Sequence, residues 1–341
     1  MKVGIITVYE PTTNLGSFLQ TYALQEVLKS YGHDVYIVQS HSTRESIAKV
    51  VFRINPKREF FLRLKKAKYA IQDIKRVKLI KRNNLKRLDS LVYGSDEIWN
   101  LDNLYFQDGL FWGENETLPK IAYAVSVGAV DEQRICANNS FKNSINDFNC
   151  ILVRDTRTHD IVQKITNVSN DMVCDPTMLI PVDRMSESIK PLKYKYLLVY
   201  TYGIDAPLIN QIKRFATEHD LKIVSVFFWH IWADQVIECS ALQFSTYIKN
   251  AEYVFTTTFH GAVFTMLNHK KCCIYPYREK VKSIVLQMQE GNHLVDRDCT
   301  YNEFEQTMQL EYDSEAFEER LEKYRVFSHN KLKEAIECLE K

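Results

Sequence analysis

The chain has 341 residues, with 44 Lys and Arg against 43 Asp and Glu, and 45% of it is apolar. That length accommodates two ordinary domains, and that apolar share supplies packed cores, which excludes global disorder. No apolar run approaches the roughly 18–20 residues a bilayer span requires, so a soluble, cytoplasmic protein is expected.

Met1–Val8 carries one early cation and a short β-branched run. It reads as a buried strand and not a signal peptide. The loop Tyr9–Gly16 follows, then a helix whose Leu19, Ala23, Leu24, Val27 and Leu28 share one side and which stops at Tyr31-Gly32. Val35–Val38 is the next strand. Strand, helix and strand in under 40 residues make a βαβ unit and point to a parallel sheet.

Phe60, Leu64, Ala67, Ile71 and Ile74 recur at helical spacing and predict a helix with a narrow apolar stripe, with Pro56 near its start. This helix lies in a strongly basic stretch. Arg53–Arg87 holds 14 basic and 2 acidic residues, whereas Asp296–Glu319 holds 9 acidic and 1 basic. The near-neutral total therefore hides a basic arm and an acidic region, which could balance the arm within the fold or across a dimer.

The α/β rhythm resumes with strands at Leu91–Tyr93, Ile121–Val125, Cys150–Val153 and Asp171–Cys174. Residues 176–194, with Pro176, Pro181 and Pro191, have no convincing period and are read as a linker. A second set follows: strands at Tyr196–Tyr200, Lys222–Phe228, Tyr253–Thr256 and Lys271–Tyr275, and helices at Ala206–His219, Ser240–Asn250 and His260–Asn268. A long helix closes the chain at about Glu315–Lys341. The expected division is an N-terminal α/β domain over 1–175 with the basic segment of about 53–88 inserted, the linker, and a C-terminal α/β domain over 195–341. Two Rossmann-like halves facing a cleft would bind ligands at the carboxyl ends of their strands. The eight scattered cysteines lack any CxxC pair and read as reduced structural thiols.

Candidate chemistry therefore lies at strand ends. Thr256-Thr257-Thr258-Phe259-His260-Gly261 ends a strand in hydroxyls and presents a His where a helix begins. Free N–H groups there suit phosphate or carboxylate, a His serves as acid or base, and Gly261 would let a ligand approach the backbone. The alternative is a His that merely packs at the helix start. In Gly94-Ser95-Asp96-Glu97-Ile98-Trp99-Asn100, Asp96 could orient a sugar hydroxyl or act as a base, or the run could be an Asx turn. Asn14-Leu15-Gly16-Ser17 with Gln20 lies at the first crossover and is neither GxGxxG nor a P-loop, which argues against NAD chemistry. Arg154 could meet an anion or pair with Asp155 or a helix acid. Arg278, Lys280 and Lys282 are further cations near a strand end.

The basic helix has few interleaved aromatics, only Phe60, Phe61 and Tyr69. Base stacking is thus poorly supported, and an anionic membrane surface or diphospholipid-linked substrate ranks above nucleic acid, beside a plainly solvated face.

These motifs, in order, resemble the polysaccharide pyruvyl transferase family. Its N-x-G-x-x-L-Q-x-Y-A-L stretch is matched from Asn14 to Leu24, and its G-S-D-Q-I-W-N by Gly94–Asn100 with Glu97 in place of Gln. Its Y-A-A-S-x-G corresponds to Tyr123–Gly128, including Ser126, and its V-R-E to Val153-Arg154-Asp155. Its D-P-T corresponds to Asp175-Pro176-Thr177, and its T-x-S-F-H-G to Thr256–Gly261 with Thr258 in place of Ser.

The resemblance implies a two-domain fold similar to GT-B glycosyltransferases. It also implies transfer of pyruvate from phosphoenolpyruvate, as co-substrate, to two hydroxyls of a sugar in a cell-surface polysaccharide or its lipid-linked precursor. No metal or nucleotide cofactor is expected. On this reading His260 and Asp96 are the catalytic candidates. Arg154, Thr258, Gly261, Asn14 and Gly16 would bind the donor, and Ser95, Glu97, Ser126 and Gln20 the acceptor. The enzyme would act in the cytoplasm or at the inner membrane face in exopolysaccharide or capsule assembly, alone or as a homo-oligomer. Two alternatives stay open: a glycosyltransferase using a nucleotide sugar, and a non-catalytic protein of the membrane surface.

Overall fold

The computed structural model describes residues 1–40, 47–48 and 57–340. Arg53 and Pro56 of the basic segment, and Lys341 at the end of the last helix, lie outside the described residues. The chain forms two compact units.

The first unit comprises residues 1–49, 73–180 and 322–341. Its seven-stranded sheet runs β1 (Lys2–Ile6), β2 (Asp34–Gln39), β3 (Leu79–Lys81), β4 (Ser90–Tyr93), β5 (Lys120–Val125), β6 (Cys150–Val153) and β7 (Asn170–Met172), in the spatial order β3-β2-β1-β4-β5-β6-β7. Every pairing is parallel. β4 and β5 are buried throughout, which matches their unbroken apolar runs, since parallel strands are covered on both faces. Helix α1 (Leu15–Ser30) follows β1. It starts because Asn14 turns its side chain onto the N–H groups of Gly16 and Ser17. It stops at Tyr31, after which Gly32 takes φ +91°.

The second unit comprises residues 50–72 and 181–321. Its sheet holds β8 (Tyr196–Tyr200), β9 (Lys222–Val226), β10 (Gln235–Ile237), β11 (Tyr253–Thr256) and β12 (Cys272–Ile274), ordered β10-β9-β8-β11-β12 and again wholly parallel. Both sheets are doubly wound: the first crossovers run one way from the central strand, then the order reverses. The reversal lies between β1 and β4 in one unit and between β8 and β11 in the other, and at such reversals open α/β sheets bind ligands.

The expected division over 1–175 and 195–341 differs from this in three places. The first is the expected linker over 176–194, which holds helical turns at Pro176–Leu179 and Val182–Met185 and is divided between the units after Ile180. Helix α2 (Lys57–Ile74), expected within the first domain, belongs to the second unit as far as Gln72. Its Lys66 Nζ donates to the Phe227 carbonyl at 3.0 Å, lies 3.7 Å from that ring's centroid and is 3.8 Å from Glu238 Oε1, and Gln72 reaches Glu187. The final helix, Ser314–Cys338, contributes its last part to the first unit. There Ser328 Oγ accepts from the Cys174 N–H, Arg325 donates to the Met178 carbonyl, and His329 meets Tyr31 Oη at 2.6 Å.

The predicted stripe of α2 is only partly buried. Its Phe60, Leu64 and Ile71 are exposed, Ile74 is half-buried and Ala67 is buried, beside the buried Ala70 and Asp73. Lys66, held by Phe227 and Glu238, lies on the inward side together with the buried Ala70 and Asp73. The acidic region pairs locally, with Glu311 on Lys271, Glu305 on His219 and Glu318 on His269. All eight cysteines are unbridged. No helix among the described residues is long and apolar enough to cross a membrane.

Candidate functional site

In the first unit, the motifs named from sequence gather beyond the carboxyl ends of β1, β4, β5 and β6. Gly94 leaves β4 at φ +119°, where a Cβ would lie 2.1 Å from the Tyr123 carbonyl oxygen, so only glycine fits. Ser95 is then fixed from two sides. Gln20 of α1 accepts at Oε1 from the Ser95 N–H (3.1 Å) and hydroxyl (2.8 Å), and Thr7 donates to the Ser95 carbonyl. Gln20 and Ser95 are both fully buried. Proposed from sequence as acceptor contacts, they instead spend their polar groups on one another and hold the loop in place.

Asp96 follows at φ +73°, a left-handed conformation unusual for a residue bearing a side chain. Its backbone bridges to β5, with the Ser126 N–H donating to the Asp96 carbonyl at 3.0 Å. Its carboxylate reaches Arg154, which comes from the end of β6. Arg154 Nη2 lies 3.3 Å from Asp96 Oδ1 and Nη1 3.1 Å from Asp175 Oδ2. Arg154 is 4% exposed and Asp175 fully buried. Burial alone would depress the guanidinium pKa, but Asp96 and Asp175, with Asp155 and Glu97 farther off, reverse that and push it well up.

Arg154 is therefore a clamp between two carboxylates, and its fork is committed within the protein. This corrects the expectation of a cation directed at the donor. The alternative of a pairing with Asp155 or a helix acid takes another form: the partners are Asp96 and Asp175, and Asp155 caps the next helix, α3 (Thr156–Ile165), through the Thr158 N–H at 2.9 Å. The residue that sequence reasoning missed is Asp175. Its signal was local, an Asp before Pro176 at a helix start, where its other oxygen accepts from Thr177. Which distant cation its second oxygen meets is not encoded there.

The remaining first-unit candidates make local contacts too. Asn14 caps α1 at the Gly16 N–H (2.9 Å), so the Asn14 and Gly16 groups proposed for the donor already satisfy each other. Ser126 Oγ accepts from the Gly128 N–H, and Glu97, half-buried, accepts from Asn100.

The second unit repeats this plan at its own reversal point. Thr256 Oγ1 donates to the Tyr200 carbonyl at 2.7 Å, and the hydroxyls of Thr257 and Thr201 lie 2.7 Å apart, tying the ends of β11 and β8. Thr258 caps the helix Phe259–Leu267, accepting from the Gly261 N–H at 3.0 Å. A Cβ on Gly261 would fall 2.1 Å from Thr256 Oγ1 and 2.6 Å from Thr258 Oγ1. Gly261 thus makes room for two hydroxyls of its own loop, which corrects the expectation that it leaves room for a ligand.

His260 sits in the first turn of that helix, 6% exposed and edge-on to Phe259. Sequence reasoning missed His230. Its Nε2 meets the Thr201 carbonyl at 2.9 Å, it stacks on Trp232, and burial lowers its pKa. Its signal was the aromatic run Phe227-Phe228-Trp229-His230 just past β9. Among the described residues no three His, Cys, Asp or Glu side chains gather as metal ligands would.

Solved structures similar to this chain place its fold among the GT-B glycosyltransferases and related epimerases. A UDP-N-acetylglucosamine 2-epimerase from Listeria monocytogenes, described as putative, aligns with TM-score 0.58 and 8% identity over 98% of this chain and 95% of its own. The spinosyn forosaminyltransferase SpnP aligns with TM-score 0.54 and 9% identity over all of both chains. The UDP-GlcNAc 2-epimerase from Methanocaldococcus jannaschii aligns with TM-score 0.53 and 9% identity over 91% of this chain and 92% of its own. Among curated proteins nothing matches the sequence significantly. The sequence model of one family matches residues 14–279, a span that includes both reversal-point clusters, and the chain accordingly belongs to the polysaccharide pyruvyl transferase family.

Proposed function

We propose that this member of the family transfers pyruvate from phosphoenolpyruvate to two hydroxyls of one sugar and so closes a cyclic ketal. The observation that carries the reading is the extent of the family match, which takes in the Gly94–Asp96 loop and the Thr256–Gly261 turn together. The reaction adds a proton to the methylene carbon of the enol while a first sugar hydroxyl attacks the adjacent carbon and loses its own proton. The second hydroxyl then displaces phosphate from that carbon, and its proton leaves with the phosphate.

That chemistry needs a proton donor beside the donor substrate. His260 is assigned this role, since an imidazole exchanges protons near neutral pH and its helix start favours an anion nearby. Asp96 is assigned to the acceptor, its carboxylate accepting from a sugar hydroxyl, with Arg154 and Asp175 fixing its position. Arg154 supports Asp96 in this scheme and does not itself hold the donor.

The same fold carries glycosyl transfer in other proteins, so the test must separate the two reactions. The protein is incubated with a sugar acceptor and either phosphoenolpyruvate or a nucleotide sugar. Ketal formation releases inorganic phosphate and adds about 70 Da to the acceptor, the mass of pyruvate less water. Glycosyl transfer releases a nucleotide and adds a whole sugar. His260→Ala should lose most ketal formation while remaining folded, as a cooperative unfolding transition would show. Wild-type turnover in that variant refutes the role of His260, and a sugar-sized gain refutes pyruvyl transfer.

A further inference from the structure

The apolar stripe of α2 raises a question that the fold leaves open. Side chains 100° apart along a helix place six residues, Phe60, Ile71, Leu64, Lys68, Phe61 and Lys65, in that angular order, on one arc of about 140°, which the half-buried Gln72, bonded to Glu187, interrupts between Phe61 and Lys65. All six are exposed, Phe61 to 71%. Lys66 and Ala70 lie opposite this arc and are half-buried and buried, and Ala67, about 20° from Phe60, is the buried edge of the arc itself. So the outward face mixes large apolar side chains with cations. Among the described residues no carboxylate pairs with Lys65 or Lys68.

Single exposed apolar groups are ordinary on protein surfaces, but a contiguous set marks an interaction surface.

We propose that this outer face of α2 is a docking surface for an anionic lipid bilayer. Phe61, Leu64 and Ile71 would enter the boundary between headgroups and acyl chains, while Lys65 and Lys68 meet headgroup phosphates. The combination of apolar side chains flanked by lysines on one helical face is what an interfacial helix presents. A nucleic acid would be served by the lysines but gains little from Leu64 and Ile71, which are neither cationic nor able to stack. Glu305, Glu311 and Glu318, three of the nine acids of the acidic region, pair within their own unit, and a second copy of this chain is the competing occupant that the test below separates.

The test is co-sedimentation of the full chain with vesicles, with no donor or acceptor present, so the result is independent of which group the enzyme transfers. One set of vesicles is pure phosphatidylcholine and the other holds about one third phosphatidylglycerol. The chain should bind the anionic set at least tenfold more tightly. Each lysine near such a surface is worth about a factor of five to six, so Lys65→Glu/Lys68→Glu should weaken binding by about 30-fold or more. Phe61→Ser/Leu64→Ser should weaken it by at least about tenfold. Both variants change only exposed side chains and should keep the wild-type unfolding midpoint.

Failure to bind anionic vesicles overturns the proposal, as does binding that neither variant weakens. Lysine-dependent binding of a DNA or RNA duplex without vesicle binding overturns it in favour of nucleic acid. Self-association lost in the Phe61→Ser/Leu64→Ser variant, again without vesicle binding, overturns it in favour of a dimer.

Discussion

Replacing Arg154 by alanine would expose how the first unit's cluster is held. The guanidinium joins Asp96, whose side chain is 11% exposed, to Asp175, whose side chain is fully buried. Alanine removes the cation that joins these two carboxylates, leaving Asp175 with the Thr177 N–H and hydroxyl on its other oxygen. Removing one partner of a buried pair costs about 3–5 kcal/mol, because the charge left behind cannot recover its hydration. A domain stable by about 5–15 kcal/mol has little margin for that loss. Equilibrium urea unfolding, followed by indole fluorescence with Trp99 as a fully buried reporter in the same unit, measures it. Arg154→Met/Asp96→Asn removes one of the two charges and should recover at least about 1 kcal/mol of the loss. A single variant that unfolds within about 1 kcal/mol of wild type refutes the clamp. So does an intact fold combined with weakened phosphoenolpyruvate binding alone, which would restore Arg154 as a donor contact.

Two other perturbations test the second unit. Gly261→Ala pushes a methyl group to 2.1 Å from Thr256 Oγ1, and overpacking of this kind should cost about 1–3 kcal/mol in urea unfolding. Adding Thr256→Ser to that variant removes a methyl group but leaves the clashing oxygen, so it should rescue little. Burial lifts the Glu238 carboxyl to about 8 against the pull of Lys66. A carboxyl raised on folding binds its proton more tightly in the native state, so stability should fall as pH rises from about 5 to 8, by at most about 1.4 kcal/mol per unit. Glu238→Gln should flatten that slope in urea titrations at pH 5, 6.5 and 8, and an unchanged slope would locate the dependence elsewhere.

The legible part of the fold was the part written in unbroken apolar runs. The cores of β1, β4, β5, β6, β8 and β11 were all named from such runs, since central parallel strands are buried on both faces. The strands β3 and β10 were not, because each is a three-residue edge strand of mixed polarity, Leu79–Lys81 and Gln235–Ile237. The site was legible in the same partial way. Strand-end motifs announced the Gly94–Asp96 loop and the Thr256–Gly261 turn, because glycines, hydroxyls and caps are local devices with local signatures. Their placement at the two reversal points follows from strand order, which no single motif encodes.

What the sequence determined by itself was the repeating α/β rhythm, the parallel class and the positions where loops carry polar groups. Each of these depends on neighbours a few residues away. What the tertiary structure decided was the use of those groups. Arg154 is 58 residues from Asp96 and 21 from Asp175, so only folding could turn a candidate anion binder into a clamp. Gln20 meets Ser95 across 75 residues, and Lys66 meets Phe227 across 161. That last contact ties the basic helix to the second unit, where Phe60, Leu64 and Ile71 of its apolar stripe are exposed while Ala67 is buried. Periodicity shows that a helix has an apolar face, but which face is buried depends on the partner surface and the anchors that reach it.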